Sequence, residues 1–247
     1  MIIREILARS VLSKSRVSEY TVNPYGGCQH GCSYCYARFM KRYSGHREAW
    51  GEYVDVKVNA AEILQKEIKH KKPGDVWISG VCDPYQPLEK KYELTRRCLK
   101  ILIGDDWPVT VQTRSPLVLR DIDLLRKSSK VEVGMSITTS DDKIRRLFEP
   151  YAPLVKERIR ALGELHAAGI KTFVMIAPLL PKAEELVPDL VGKVDRVLVD
   201  RMNYNYADWV YRKYKLEQSR SESYYNRAGQ EICSSFRQQG VECQVLY

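Results

Sequence analysis

Three cysteines, Cys28, Cys32 and Cys35, stand within the stretch Asn23-Pro24-Tyr25-Gly26-Gly27-Cys28-Gln29-His30-Gly31-Cys32-Ser33-Tyr34-Cys35-Tyr36-Ala37-Arg38, spaced C-x3-C-x2-C. Three thiolates on one short loop suit three irons of a four-iron four-sulfur cluster. Glycines beside the cysteines let the backbone wrap so bulky a group. No fourth cysteine follows nearby in the sequence, so one iron would keep an exchangeable position. Chemistry needs such an opening, whereas a structural site is closed. Two other readings remain: a zinc site completed by His30 or His46, and thiols that merely pack. Zinc sites usually repeat a C-x2-C pair, which this chain does not do. The Gly, His and Gln neighbours are not those of an apolar core.

The stretch resembles the radical S-adenosylmethionine (radical SAM) superfamily, whose signature is C-x3-C-x-aromatic-C, with Tyr34 as the aromatic residue. Together with SGVCDPYQPLEKKYELTR, MSITTSD and FEPYAP, it is similar to the branch related to spore photoproduct lyase, over roughly residues 18–200. The resemblance implies a [4Fe–4S] cluster on Cys28, Cys32 and Cys35, with S-adenosyl-L-methionine on the open iron. Electron transfer would split the cofactor into methionine and a 5′-deoxyadenosyl radical that takes hydrogen from a substrate. It also implies an electron donor such as flavodoxin or ferredoxin. Tyr34 would lie against the adenine, and further cofactor contacts would fall on Cys82, Asp83, Arg114, Ser136 and the backbone at Ala177. A cation suits the methionine carboxylate, and a hydroxyl suits a ribose.

Each of these residues has a plainer reading. Arg114 could be a surface charge, Ser136 could bond only backbone, and Asp83 could cap the loop that its Asp-Pro dipeptide opens. The lyase places a hydrogen-donating cysteine where this chain has Gly80. Cys82, two positions on and so on the same strand face, is the candidate for that catalytic role. Its alternative is a buried thiol. Cys98 reads as core, and so do Cys233 and Cys243, which are too few to argue a second cluster.

The elements that must position these groups alternate strand and helix. Strands are expected at 19–23, 75–79, 108–113, 131–138, 171–176 and 196–200. Helices are expected at 59–71 (with Asn59 as N-cap), 95–103, 117–127, 142–148, 156–168 and 183–190. About six βα units imply an α/β fold, a partial (β/α)6 TIM-like barrel, with sites at the C-terminal ends of its strands. The barrel should occupy residues 1–200. A C-terminal extension of two Tyr-rich helices and a last strand, 201–247, should pack on it.

The 247 residues carry a formal charge of +9. Residues 1–50 hold eight Lys or Arg against three Glu, and Tyr211-Arg212-Lys213-Tyr214-Lys215 interleaves charge with aromatics. Such patches favour polyanions, although a solvated basic face is the common alternative. With the repair-lyase resemblance, this makes nucleic acid the expected substrate. The alternatives are a protein or small-metabolite substrate, and a non-catalytic iron–sulfur protein that binds nucleic acid. No apolar run nears the roughly 20 residues that span a bilayer, and the first residues lack a secretory pattern. A cytoplasmic protein with no membrane partner is expected.

Overall fold

The structure is a computed structural model describing residues 1–247. Its eleven strands are β1 (Ile2–Ile6), β2 (Leu12–Lys14), β3 (Tyr20–Val22), β4 (Tyr25–Gly26), β5 (Tyr53–Lys57), β6 (Val76–Ile78), β7 (Val109–Thr113), β8 (Val131–Ser136), β9 (Lys171–Ile176), β10 (Arg196–Val199) and β11 (Glu242–Val245). Eight of them form one sheet in the order β11-β10-β9-β8-β7-β6-β3-β2. Within this sheet β3, β6, β7, β8, β9 and β10 are parallel, and each lies beside the next of them in chain order, as in a (β/α) barrel. The ring stays open, because β2 and β11 end the sheet at opposite edges.

The six expected strands are these six parallel ones, and their Val and Ile residues lie mostly on the fully buried face, with half-buried residues alternating on the other. The extension adds a seventh parallel strand, β11, against β10, backed by the Glu222–Gln238 helix. No helix is long and apolar enough to cross a membrane.

Four local expectations change. Asn59 does not cap the Ala60–Glu67 helix. Its amide instead bridges the backbone of Ala8, accepting from the N–H at 2.8 Å and donating to the carbonyl at 3.0 Å. The helix expected at 117–127 begins as a tight 3-10 turn, Pro116–Asp121, because Pro116 and the Ser115 hydroxyl set its first turn. Residues 183–190 likewise split into a 3-10 turn and a short helix. Cys233 and Cys243 do not merely pack. They form a disulfide joining the long terminal helix to β11, since both face the same buried layer.

A second sheet, β1-β5-β4, was not anticipated. β5 pairs parallel to β1 and antiparallel to β4, which ends one residue before Gly27 and two before Cys28. This sheet therefore grips the start of the cysteine loop.

Inside the barrel, the Phe173 ring fills the space beside Gly134, tilted against Trp77 at 6.3 Å and covered by Arg196 at 4.9 Å. A methyl group at 134 would overlap that ring. Gly134→Ala is expected to destabilise the fold by about 1–3 kcal/mol, lowering the thermal midpoint by roughly 2–10 °C. Gly104→Ala, which faces open space, should not lower it. Circular dichroism melts of both variants check this.

Candidate cofactor site

The cysteine loop leaves the C-terminal end of β3, and the other predicted residues lie at the ends of neighbouring strands. Cys82 and Asp83 follow β6, Arg114 follows β7, Ser136 ends β8, and Ala177 follows β9. Parallel strands in sequential order bring these ends to one rim.

Cys28 and Cys32 are buried, Cys35 is half-buried, and all three thiols are free. Two backbone positions shape the loop. Gly27 has φ +88°, and a side chain there would strike the Tyr53 carbonyl; Gly31 has φ +60° and lies against Gly51 and Tyr151. Burial pushes all three thiols up, Cys32 to about 12 with Arg114 opposing the rise. Neutral thiols are thus the stable form of the loop without metal. Their thiolates need a cation, which iron would supply.

The donor set fits a [4Fe–4S] cluster: three thiols on one loop, beside a rim of polar groups, in a cradle too tight for a side chain at residue 27. No three His, Cys, Asp or Glu side chains converge as a single metal ion requires. His46 is occupied elsewhere, with Nε2 3.0 Å from Asp55, Nδ1 3.2 Å from Glu48 and its ring stacked on Tyr53 at 4.2 Å. His30, fully buried, lies 3.3 Å from Asp83. The zinc alternative finds no support in this arrangement.

A fourth thiol joins the pocket. Cys82, distant in sequence, packs against the cluster of Cys28, Ala37, Trp50 and Tyr53 on one side and against the cluster that holds Tyr25 and Leu88 on the other. Its thiol donates to the Tyr25 carbonyl at 3.6 Å, and burial pushes it up to about 12, so it stays S–H.

Tyr34 is buried, and its hydroxyl donates to Glu149 and accepts from Arg114 Nη2 at 2.9 Å. Arg114 is therefore no free surface charge. Its guanidinium also reaches Glu149 at 3.4 Å, and its backbone N–H donates to Asp83 at 2.8 Å. Asp83 does cap its loop, accepting from the Tyr85 N–H at 2.9 Å, and it also accepts from the Thr113 hydroxyl at 2.6 Å. Burial alone would raise its carboxyl, but the His30, Thr113 and Arg114 contacts hold it down to about 2. The Ser136 side chain is fully buried and accepts from Gln112 at 2.8 Å, while its carbonyl accepts from Arg158 at 3.0 Å. Ala177 is half-buried at the rim.

Sequence reasoning missed Glu149 and Arg158. Both are fully buried and pair at 2.5 Å, and Thr138 also donates to Glu149, at 3.0 Å. Their only sequence signal was charge: Glu149 within FEPYAP and Arg158 on an amphipathic helix. Burial alone would raise the Glu149 carboxyl, but Arg158 and Arg114 outweigh it and hold it near 2.

Glu149→Gln would leave Arg158 buried without its counter-charge, at a cost of about 3–5 kcal/mol. The ionised Glu149 stabilises fully above its ordinary value near 4.5, and that stability is lost as pH falls toward about 2. Urea unfolding from pH 7 to pH 3 should show wild-type stability declining at the acid end, with a shallower decline in Glu149→Gln. Identical acid slopes would contradict this assignment.

A model of the radical SAM superfamily matches residues 22–191. An uncharacterized protein of Methanocaldococcus jannaschii is 38% identical over 179 residues, covering 72% of this chain and 67% of that protein. A radical SAM Nalpha-GlyT isomerase of Pseudomonas phage M6 is 27% identical over 177 residues, covering 70% of this chain and 35% of its own. Among solved structures, spore photoproduct lyase complexed with dinucleoside spore photoproduct superposes with a TM-score of 0.74 at 16% identity, over 99% of this chain and 82% of that one. Streptococcus suis SuiB bound to precursor peptide SuiA gives a TM-score of 0.63 at 17% identity, over 92% and 48%. With the open parallel barrel and the cysteine loop at its rim, these matches establish that the chain belongs to the radical SAM superfamily of enzymes, which use a [4Fe–4S] cluster and S-adenosylmethionine.

Proposed function

We propose that Cys28, Cys32 and Cys35 hold the cluster, that S-adenosylmethionine lies along the rim from Tyr34 to Ala177, and that the substrate is nucleic acid. The observation carrying the site assignment is three free, largely buried thiols on one loop facing Tyr34 and Arg114. When bound and reduced, the cluster supplies the electron that cleaves S-adenosylmethionine to methionine and a 5′-deoxyadenosyl radical.

The chain's own residues bind, orient and shield. Arg114, locked by Tyr34 and Glu149, presents a fixed cation for the methionine carboxylate. Tyr34 offers a flat wall for the adenine, and its hydroxyl is held from both sides. Ser136 and the Ala177 backbone line the far end of the rim. Trp50 and Tyr53 pack beside Cys28 and exclude water there. Cys82 carries an S–H at the same pocket and is the candidate hydrogen donor; its alternative role is packing.

Charge favours a polyanionic substrate. Arg38, Lys41, Arg42 and Arg47 directly follow the cysteine loop, and Arg42 and Arg47 are exposed. Arg212, Lys213 and Lys215 add exposed charge on the tail. Binding there would release counterions and weaken with salt. A flavodoxin or ferredoxin would supply the electron. A peptide is the alternative substrate, in keeping with the fold shared with SuiB bound to its precursor peptide.

Anaerobic reconstitution followed by S-adenosylmethionine and dithionite should yield 5′-deoxyadenosine, and Cys32→Ala should lower the yield at least 100-fold (about 2.7 kcal/mol in barrier). Gel shifts at moderate salt should show binding of DNA or RNA. No product from fully loaded protein would favour a non-catalytic iron–sulfur protein. Product without nucleic-acid binding would favour the peptide or metabolite reading.

A further inference from the structure

We infer that Tyr36, Tyr204 and Tyr206 form a stacking platform that holds an unpaired nucleic-acid strand at the mouth of the cofactor site, an inference that rests on the nucleic-acid reading above. Tyr36 directly follows Cys35, and its hydroxyl donates to the Gly80 carbonyl just beyond β6, two residues before Cys82. Tyr204, from the tail, lies over Tyr36 with centroids 6.3 Å apart and planes 24° from parallel. Tyr206 continues the row at 5.8 Å and 11°. Arg38 of the cysteine loop sits 5.6 Å over the Tyr206 ring and is fixed by donating to the Ser33 carbonyl at 2.9 Å.

The row is not core packing. Tyr36, Tyr204 and Tyr206 are 44%, 49% and 41% exposed, whereas the tail's Tyr211 and Tyr225 are each 1% exposed and do pack. The three nearly parallel rings, each more than two-fifths exposed, stand as a stacked row at one edge of the reactive pocket, beside the Arg38 guanidinium. Aromatic faces with cations are what unstacked bases and their phosphates recognise. Bases within a duplex have their faces sealed by neighbours, so the platform selects a single strand or a base already turned out.

Fluorescence anisotropy tests this with reconstituted protein, using labelled 12-nucleotide mixed-sequence DNA and RNA strands and the corresponding duplexes. The wild type should bind at least one single strand about tenfold more tightly than its duplex. Tyr204→Ala and Tyr206→Ala should each weaken strand binding roughly 5- to 100-fold, while Tyr204→Phe retains it. Circular dichroism establishes that each variant is folded. Strand preference in either the DNA or the RNA arm supports the platform and identifies the strand. Equal affinity for strand and duplex, or alanine variants within twofold of wild type, overturns the platform and leaves the nucleic-acid reading standing. No binding of any probe overturns both.

Discussion

The Glu149 carboxylate pairs with two guanidinium groups that the fold takes out of water, Arg158 fully and Arg114 in large part. It also accepts the hydroxyls of Tyr34 and Thr138. Its partners come from the cysteine loop, the ends of β7 and β8, and the helix Val155–Ala167. One buried negative charge therefore ties the loop to the strands and helix around it. Because an unpaired buried charge is so costly, none of these groups can move far without the others. The orientation of Tyr34 and Arg114 is a property of that network rather than of either side chain.

The other flank of the loop is held by backbone. β4 enters the small sheet just before Gly27, and a side chain at 27 would strike Tyr53 of β5. The small sheet thus places the first cysteine, and Glu149 places the aromatic residue between the second and third. Cys82 and Asp83 come from a third direction, the loop after β6. Asp83 ties that loop to Thr113 and Arg114 and lies against His30.

Much of this was legible before any coordinates. The six parallel strands showed because Val and Ile recur on their buried face, and the three cysteines declared themselves by spacing. Arg114 was found by resemblance, but its alternative as a surface charge was not excluded until Tyr34 and Glu149 were seen to bind it. Glu149 and Arg158 were illegible, since a buried ion pair looks in sequence like two solvated charges. The small sheet was missed because β1 is largely exposed and β5, buried along most of its length, shows no alternation. The Cys233–Cys243 disulfide, the approach of Cys82 to Cys28, and the stacking of Tyr204 on Tyr36 are tertiary facts. No local pattern encodes which distant residues meet.

The most direct measurement is electron paramagnetic resonance of the reduced, reconstituted protein before and after adding S-adenosylmethionine. A cluster held by Cys28, Cys32 and Cys35, with its fourth iron open, predicts a clear change in the cluster signal on addition, and loss of that signal in Cys32→Ala. A full-intensity signal that the cofactor leaves unchanged, or one that survives in Cys32→Ala, would contradict the account.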